Sequence, residues 1–367
     1  MNLHPFCPHS LEHRPSSASQ KTQAQARAQA ASDFKKNLCI LSISAALLCI
    51  AMIFAIGIGK LAISPLDVLR ILWDAPEDAG RAAIVAVNQI RAPRVLIAVI
   101  IGGSLSVAGC VLQALFHNPL VSPDIVGVSS AAAFGGVFTI LLGTSAAFTM
   151  GATFLFGILA VGLVMLIAKI RAQSNTLTIV LAGVVVSAFF NALVSLIKYT
   201  ADPYSKLPSI TFWLMGSFAA AEWQKLFTIL IPVCIGLAVT FALRWRINML
   251  SLGDEDARAL GINPVSLRWC CIFAVSLLTA ASVATAGIIG WVGLVIPHLV
   301  RLAVGHDNRI VLPESFLMGG FYLLLVDTVA RTLSTVEIPV GILTATIGAP
   351  VFIILLIRRG QRGSIIA

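Results

Sequence analysis

Three carboxylates stand side by side at Asp254, Glu255 and Asp256, the only run of three acids in this chain of 367 residues. Glycines bracket them at Gly253 and Gly261. Acids in a first turn suit the positive end of a short helix. A glycine just past its last residue can take the left-handed backbone that ends it. The segment 250–263 therefore predicts a stiff polar helix of about two turns. Arginines make a second grouping. Arg91 and Arg94 flank Pro93, and Arg331 follows Asp327 four residues later, a spacing that favours an ion pair. The planar fork of arginine grips carboxylates through two bonds at once. A third stretch, "HNPL" at 117–120, joins an imidazole to an Asn-Pro turn signal.

What is missing narrows the chemistry. No HExxH and no paired carboxylates lie in the apolar runs, so an intramembrane enzyme finds no support. There is no G-x-x-x-x-G-K-[ST] phosphate loop: "GIGK" at 57–60 lacks the earlier glycine. His117 and His298 have no second histidine at ligand spacing, so no metal site is expected and no cofactor bound by this chain. The seven cysteines are scattered without a CxxC and read as small buried hydrophobes.

These groups sit in an apolar chain. Hydrophobic residues make up 58% and charged residues only 11%, and mean hydropathy is +0.95. So few charges cannot cover a soluble core of this size, which places the chain among membrane proteins. The net charge of +9 reads as lysines and arginines flanking spans on the cytoplasmic side, not as nucleic-acid binding, because no basic patch is interleaved with aromatics. Residues 1–37 are polar and low in complexity and are expected to form a disordered cytoplasmic tail. From Leu38 the apolar runs predict a domain of ten spans over 38–358, at about 38–59, 94–114, 126–143, 151–170, 177–198, 226–243, 267–286, 288–304, 311–330 and 339–357. A short tail, 359–367, follows. Most of the 25 lysines and arginines fall inside if both termini are cytoplasmic, which predicts N-in and C-in. The polar helix at 254–260 then lies in the largest inner loop, 244–266.

Two stretches, "GCVLQALFHNPLVSPDIVGVSS" (109–130) and "AGIIGWVGLVIPHLVRLAVGHDNR" (286–309), resemble the FecCD-type permeases. These are membrane subunits of bacterial ABC importers for iron–siderophores, haem and vitamin B12. "RAPR" (91–94), "LAG" (181–183), "LSLGDEDARALGI" (250–262) and "VDTVARTLSTVEIPVGILTATIGAPVF" (326–352) match in the same order, so the resemblance spans about residues 60–357.

That resemblance implies an all-α integral membrane fold, the type II ABC importer permease, with about ten transmembrane helices per subunit. It implies a homodimer with the substrate path on the two-fold axis, in the bacterial inner membrane and its lipid. Two ATPase subunits, which carry the ATP and Mg, would dock on the cytoplasmic face. A periplasmic or lipid-anchored substrate-binding protein would deliver cargo from the other side, a ferric siderophore being the first expectation and haem or cobalamin the alternatives. Leu252, Gly253, Asp254, Glu255, Ala257, Arg258, Leu260 and Gly261 map onto the ATPase-coupling loop. Arg91, Arg94 and Arg331 map onto the arginines that receive acids of the binding protein. Asn118, Leu120, Thr176 and Leu177 map onto a cytoplasmic gate. His117 departs from the arginine usual in siderophore permeases. An ion-coupled secondary transporter would instead need a membrane-buried acid, and Asp327 has Arg331 as a ready partner.

Overall fold

The computed structural model describes residues 17–74, 80–170 and 176–363. Every regular element among them is helical. In chain order these are α1 (Ser17–Gly57), α2 (Pro65–Asp74), α3 (Arg81–Val85), α4 (Ala92–Leu115), α5 (Val128–Leu142), α6 (Ala146–Ile170) and α7 (Thr176–Thr200). Then come α8 (Lys206–Leu214), α9 (Trp223–Leu250), α10 (Asp254–Ala259), α11 (Pro264–Ala286), α12 (Val292–Val304), α13 (Asn308–Thr332) and α14 (Val340–Gly363). Seven helical segments are long and apolar enough to cross a membrane. Three shorter apolar stretches lie at Val128–Leu142, Val292–Val304 and Val340–Leu355. Together they fall on the ten spans read from the sequence.

Among the described residues, 17–43 form one compact unit and 44–363 another. In the first, the backbone is helical from Ser17. Alanine, glutamine and lysine are good helix formers, and adding turns to an existing helix avoids the cost of a new nucleus. Residues 1–16 lie outside the described residues. At the other end α14 continues to Gly363, beyond the expected limit of 358.

In the second unit α4 is the axis, with almost every residue buried. Its sequence explains why: Gly102, Gly103, Ser104, Ser106, Ala108 and Gly109 give it a face without bulk, and small residues let helix backbones touch where lipid offers no hydrophobic drive. Gly102 meets the Gly319 carbonyl of α13, Gly103 meets the ring of Phe316, and Gly109 meets the backbone of Gly293 in α12. Around this axis α13, α12, α11 and α9 pack directly, while α5, α6 and α7 form a neighbouring group. The loop expected over 60–93 contains α2 and α3. α2 is amphipathic and buries Val68 and Ile71 in a cluster with Leu48, Ala55 and Ile56.

A methyl group added at Gly109 would land inside the Gly293 carbonyl. Gly109→Val should therefore cost about 1–3 kcal/mol of stability, the usual scale for overpacking. The thermal unfolding midpoint of detergent-purified protein checks this, and an unchanged midpoint would show that α4 and α12 are not in backbone contact.

Candidate functional site

The polar helix exists. α9 ends at Leu250, and the chain turns through Ser251 and Leu252 to Gly253, whose φ of 126° only glycine adopts readily. α10 then runs from Asp254 to Ala259 with the three acids in its first turn. Its end is a closed double bond: the Ile262 N–H donates to the Ala257 carbonyl at 2.9 Å and the Gly261 N–H to the Arg258 carbonyl at 2.9 Å. Gly261 takes φ 78°, as this Schellman ending requires. Asn263 starts α11 at once, its side chain accepting from the Val265 and Ser266 N–H groups. The Schellman bonds and the Asn263 cap leave little free rotation between α10 and α11.

The three acids divide in role. Asp254 accepts from Arg268 of α11, whose Nη1 lies 3.0 Å from Oδ2 while Nη2 binds Oδ1 still more closely. The Arg268 side chain is almost wholly buried, so this pair fastens the start of α10 to the first turns of α11. Ala257 is buried beneath the helix. Glu255, Asp256 and Arg258 point outward. Leu252 and Leu260, 62% and 54% exposed, put apolar surface at the two ends of the same element. The sequence alone could not assign the acids, because the partner of Asp254 lies fourteen residues away on another helix.

The expected gate residues sit close by. His117 follows the end of α4 with φ 50°, unusual for a side-chain-bearing residue. Its Nε2 lies 3.0 Å from the Leu250 carbonyl, so Nε2–H is the donor and the turn after α4 is tied to the end of α9. Asn118 Oδ1 accepts from the Leu120 N–H at 2.9 Å, closing the Asn-Pro turn. Leu120 and Leu177 are both exposed on the protomer. Thr176 begins α7, and its side chain lies outside the described residues. Asp307 caps α13. Burial alone would raise its carboxyl, but bonds from Arg309, from the Arg309 backbone N–H and from Asn248 hold it below the usual carboxylate value.

Arg91, Arg94 and Arg331 each make bonds within the protomer. Arg91 ends a π-helical turn, Ala86–Arg91, and is 8% exposed. Its Nη1 donates to the Ile56 and Gly57 carbonyls at 2.8 and 3.0 Å, and Nη2 to the Leu61 carbonyl at 2.7 Å. Arg331 donates to the Ala55 and Ile58 carbonyls. Both cations thus satisfy the orphan carbonyls at the end of α1, where a positive charge is favoured. Arg94, 7% exposed, is held between two carboxylates. Its Nη2 lies 2.8 Å from Asp327 Oδ1, and Nη1 lies 2.8 Å from Glu337 Oε1. Arg331 Nε approaches Asp327 only to 3.8 Å. The expected i,i+4 pair is therefore the weaker one, and Arg94, 233 residues away in sequence, is the main partner of Asp327. Within the protomer the Nη donors of Arg91, Arg94 and Arg331 thus go to carbonyls and carboxylates of the chain itself. Glu337, the missed member of this cluster, carried no signal because nothing local to "STVEIP" points to Arg94.

Comparisons with known proteins bear on this arrangement. The chain is 44% identical over 319 residues to the molybdate import system permease protein of Haemophilus influenzae, covering 86% of this chain and 95% of that one. It is 42% identical to a probable iron chelatin transport system permease protein of Helicobacter pylori, over 75% and 83% of the two chains. The cobalamin import system permease of Halobacterium salinarum is 40% identical, over 81% of each. Among solved structures, a putative metal-chelate type ABC transporter in an inward-facing conformation is 42% identical and superposes with a TM-score of 0.80, covering 87% of this chain and 99% of that one. Residues 47–358 match the FecCD family model, and the chain is a multi-pass membrane permease of the FecCD transport family.

Proposed function

We propose that this chain is one of two identical permease subunits of an ATP-driven importer in a bacterial inner membrane, with both termini cytoplasmic. ATP and Mg are bound and hydrolysed on two partner ATPases, and a binding protein supplies cargo on the outer side. The observation that carries this reading is the construction of α10. It is closed at its C-terminal end by the Schellman bonds and fastened at its start by Arg268 to α11, and it offers Leu252, Glu255, Asp256, Arg258 and Leu260 to a partner. A stiff element joined directly to two spans can pass a rigid-body displacement into the bundle, which a mobile loop could not do. Asn118, Leu120, Thr176 and Leu177 then act as the gate. The two exposed leucines meet their counterparts from the second copy and seal the path by excluding water.

The cargo is a metal complex. A ferric siderophore is the reading that the family resemblance implies first, and the Helicobacter pylori relatives, named for iron chelatin, support it. Molybdate is a second reading, supported by the Haemophilus influenzae relative, which this chain matches over 95% of that protein's length. Uptake of radiolabelled ferric siderophore, molybdate and cobalamin by a deletion strain, with and without the intact system restored, separates them. Restored uptake of one cargo assigns it, and restoration of none removes the cargo reading.

Two variants test the lever. Glu255→Lys should reduce co-purification of the ATPase several-fold without lowering the permease's thermal midpoint, because Glu255 makes no bond within the protomer. Asp254→Asn should lower both, because half of a charge-assisted pair is lost from Arg268 and about 1.5–3 kcal/mol of local anchoring with it. Co-purification unchanged in both variants would exclude α10 as the coupling element.

A further inference from the structure

A cavity of about 790 Å³ opens where α4, α9, α12, α13 and α14 end or begin, beside the gate turn and the start of the coupling loop. Its lining has an unusual balance of charge. Arg301, His117, His298 and His306 contribute cationic or protonatable groups, Gln113 and Asn118 contribute amides, and none of the described residues lining it is a carboxylate. The acid nearest in sequence, Asp307, is engaged by Arg309 and Asn248.

Arg301 makes the balance informative. Its Nη1 binds Gln113 Oε1, and its Nη2 donates to the Cys110 carbonyl at 3.1 Å. Both acceptors are neutral, and none of the ion pairs among the described residues includes Arg301. The guanidinium is therefore fixed in orientation while its charge is left uncompensated. That differs from Arg94, Arg268 and Arg309, each of which faces a carboxylate. A half-buried cation without a counter-charge favours an anion beside it. The Asn118 amide is an available donor, since its oxygen is the atom used in the turn. Oxyanions suit such a set, because several N–H donors can converge on spread negative charge.

We propose that this cavity binds a small polyatomic oxyanion of the molybdate or phosphate kind, with Arg301 as its principal charge and His306 and Asn118 as supporting donors. The cavity touches both the turn after α4 and Ser251 at the end of α9. An anion seated there bridges the gate and the root of the coupling helix. Its place on the cytoplasmic face rests on the proposed orientation, whereas binding itself does not depend on transport or on which cargo is carried.

The test is isothermal titration of the purified full chain in detergent with molybdate, phosphate and sulfate, at ionic strength held constant with chloride. Saturable binding of at least one oxyanion over chloride is expected. Molybdate tighter than phosphate points to a transported oxyanion as the source, and equal or tighter phosphate points to a resident cytosolic anion. Arg301→Gln should weaken binding roughly tenfold or more, as loss of a charge-assisted bond does. His306→Ala changes an exposed side chain, keeps the test usable if the arginine variant fails to fold, and should weaken binding by a smaller factor. No oxyanion binding over chloride, or wild-type affinity in both variants, overturns the proposal.

Discussion

The structure depends on backbone touching backbone at the centre of the bundle. α4 can be buried on all sides only because Gly102 and Gly109 bring it against Gly319 of α13 and Gly293 of α12 without intervening side chains. In lipid there is no hydrophobic gain from pushing helices together, so contact of this kind supplies cohesion that a soluble bundle would draw from burying leucines. It also fixes the positions of what the helices carry. The C-terminal end of α4 holds the turn of His117 and Asn118, the end of α12 holds Arg301, and α13 holds Asp327 and Arg331. Each functional group is referenced to the same glycine-lined axis.

Much of the charge lies towards the ends of that axis and is handled differently at each. At one end Arg91, Arg94, Asp327, Arg331 and Glu337 form a closed cluster that also saturates the last carbonyls of α1. Removing one member of a buried pair costs roughly 3–5 kcal/mol, because the other is left uncompensated. The cluster thus holds α1, α4 and α13 in register. At the other end, within α10, Asp254 is bound inward while Glu255, Asp256 and Arg258 are exposed. Neutralised charge builds the frame, and open charge is left on the surface.

Much of this could be read from the sequence, and the exceptions share a cause. Ten apolar runs gave the ten long or apolar helices because a span announces itself within its own twenty residues. Gly253, the acid run and Gly261 announced α10 for the same reason. What escaped needed two distant residues at once. Asp254 with Arg268, Arg94 with Glu337 and Arg301 with Gln113 are pairs whose members lie far apart in the chain or on different elements. α2 and α8 were missed for another reason: they are short, and in α2 only two buried residues distinguish it from a polar loop. Arg91, Arg94 and Arg331 show the limit most clearly. Their residue types and spacing do not tell that their donors go to the end of α1 and to internal acids.

His117 joins two of these themes. It occupies a left-handed conformation that favours glycine or asparagine, and it alone connects the turn after α4 to the last carbonyl of α9. Such a conformation persists where its surroundings hold it in place. A glycine here would make the bend more comfortable and cut the thread between the turn after α4 and the end of α9, so comfort and connection at this position pull in opposite directions.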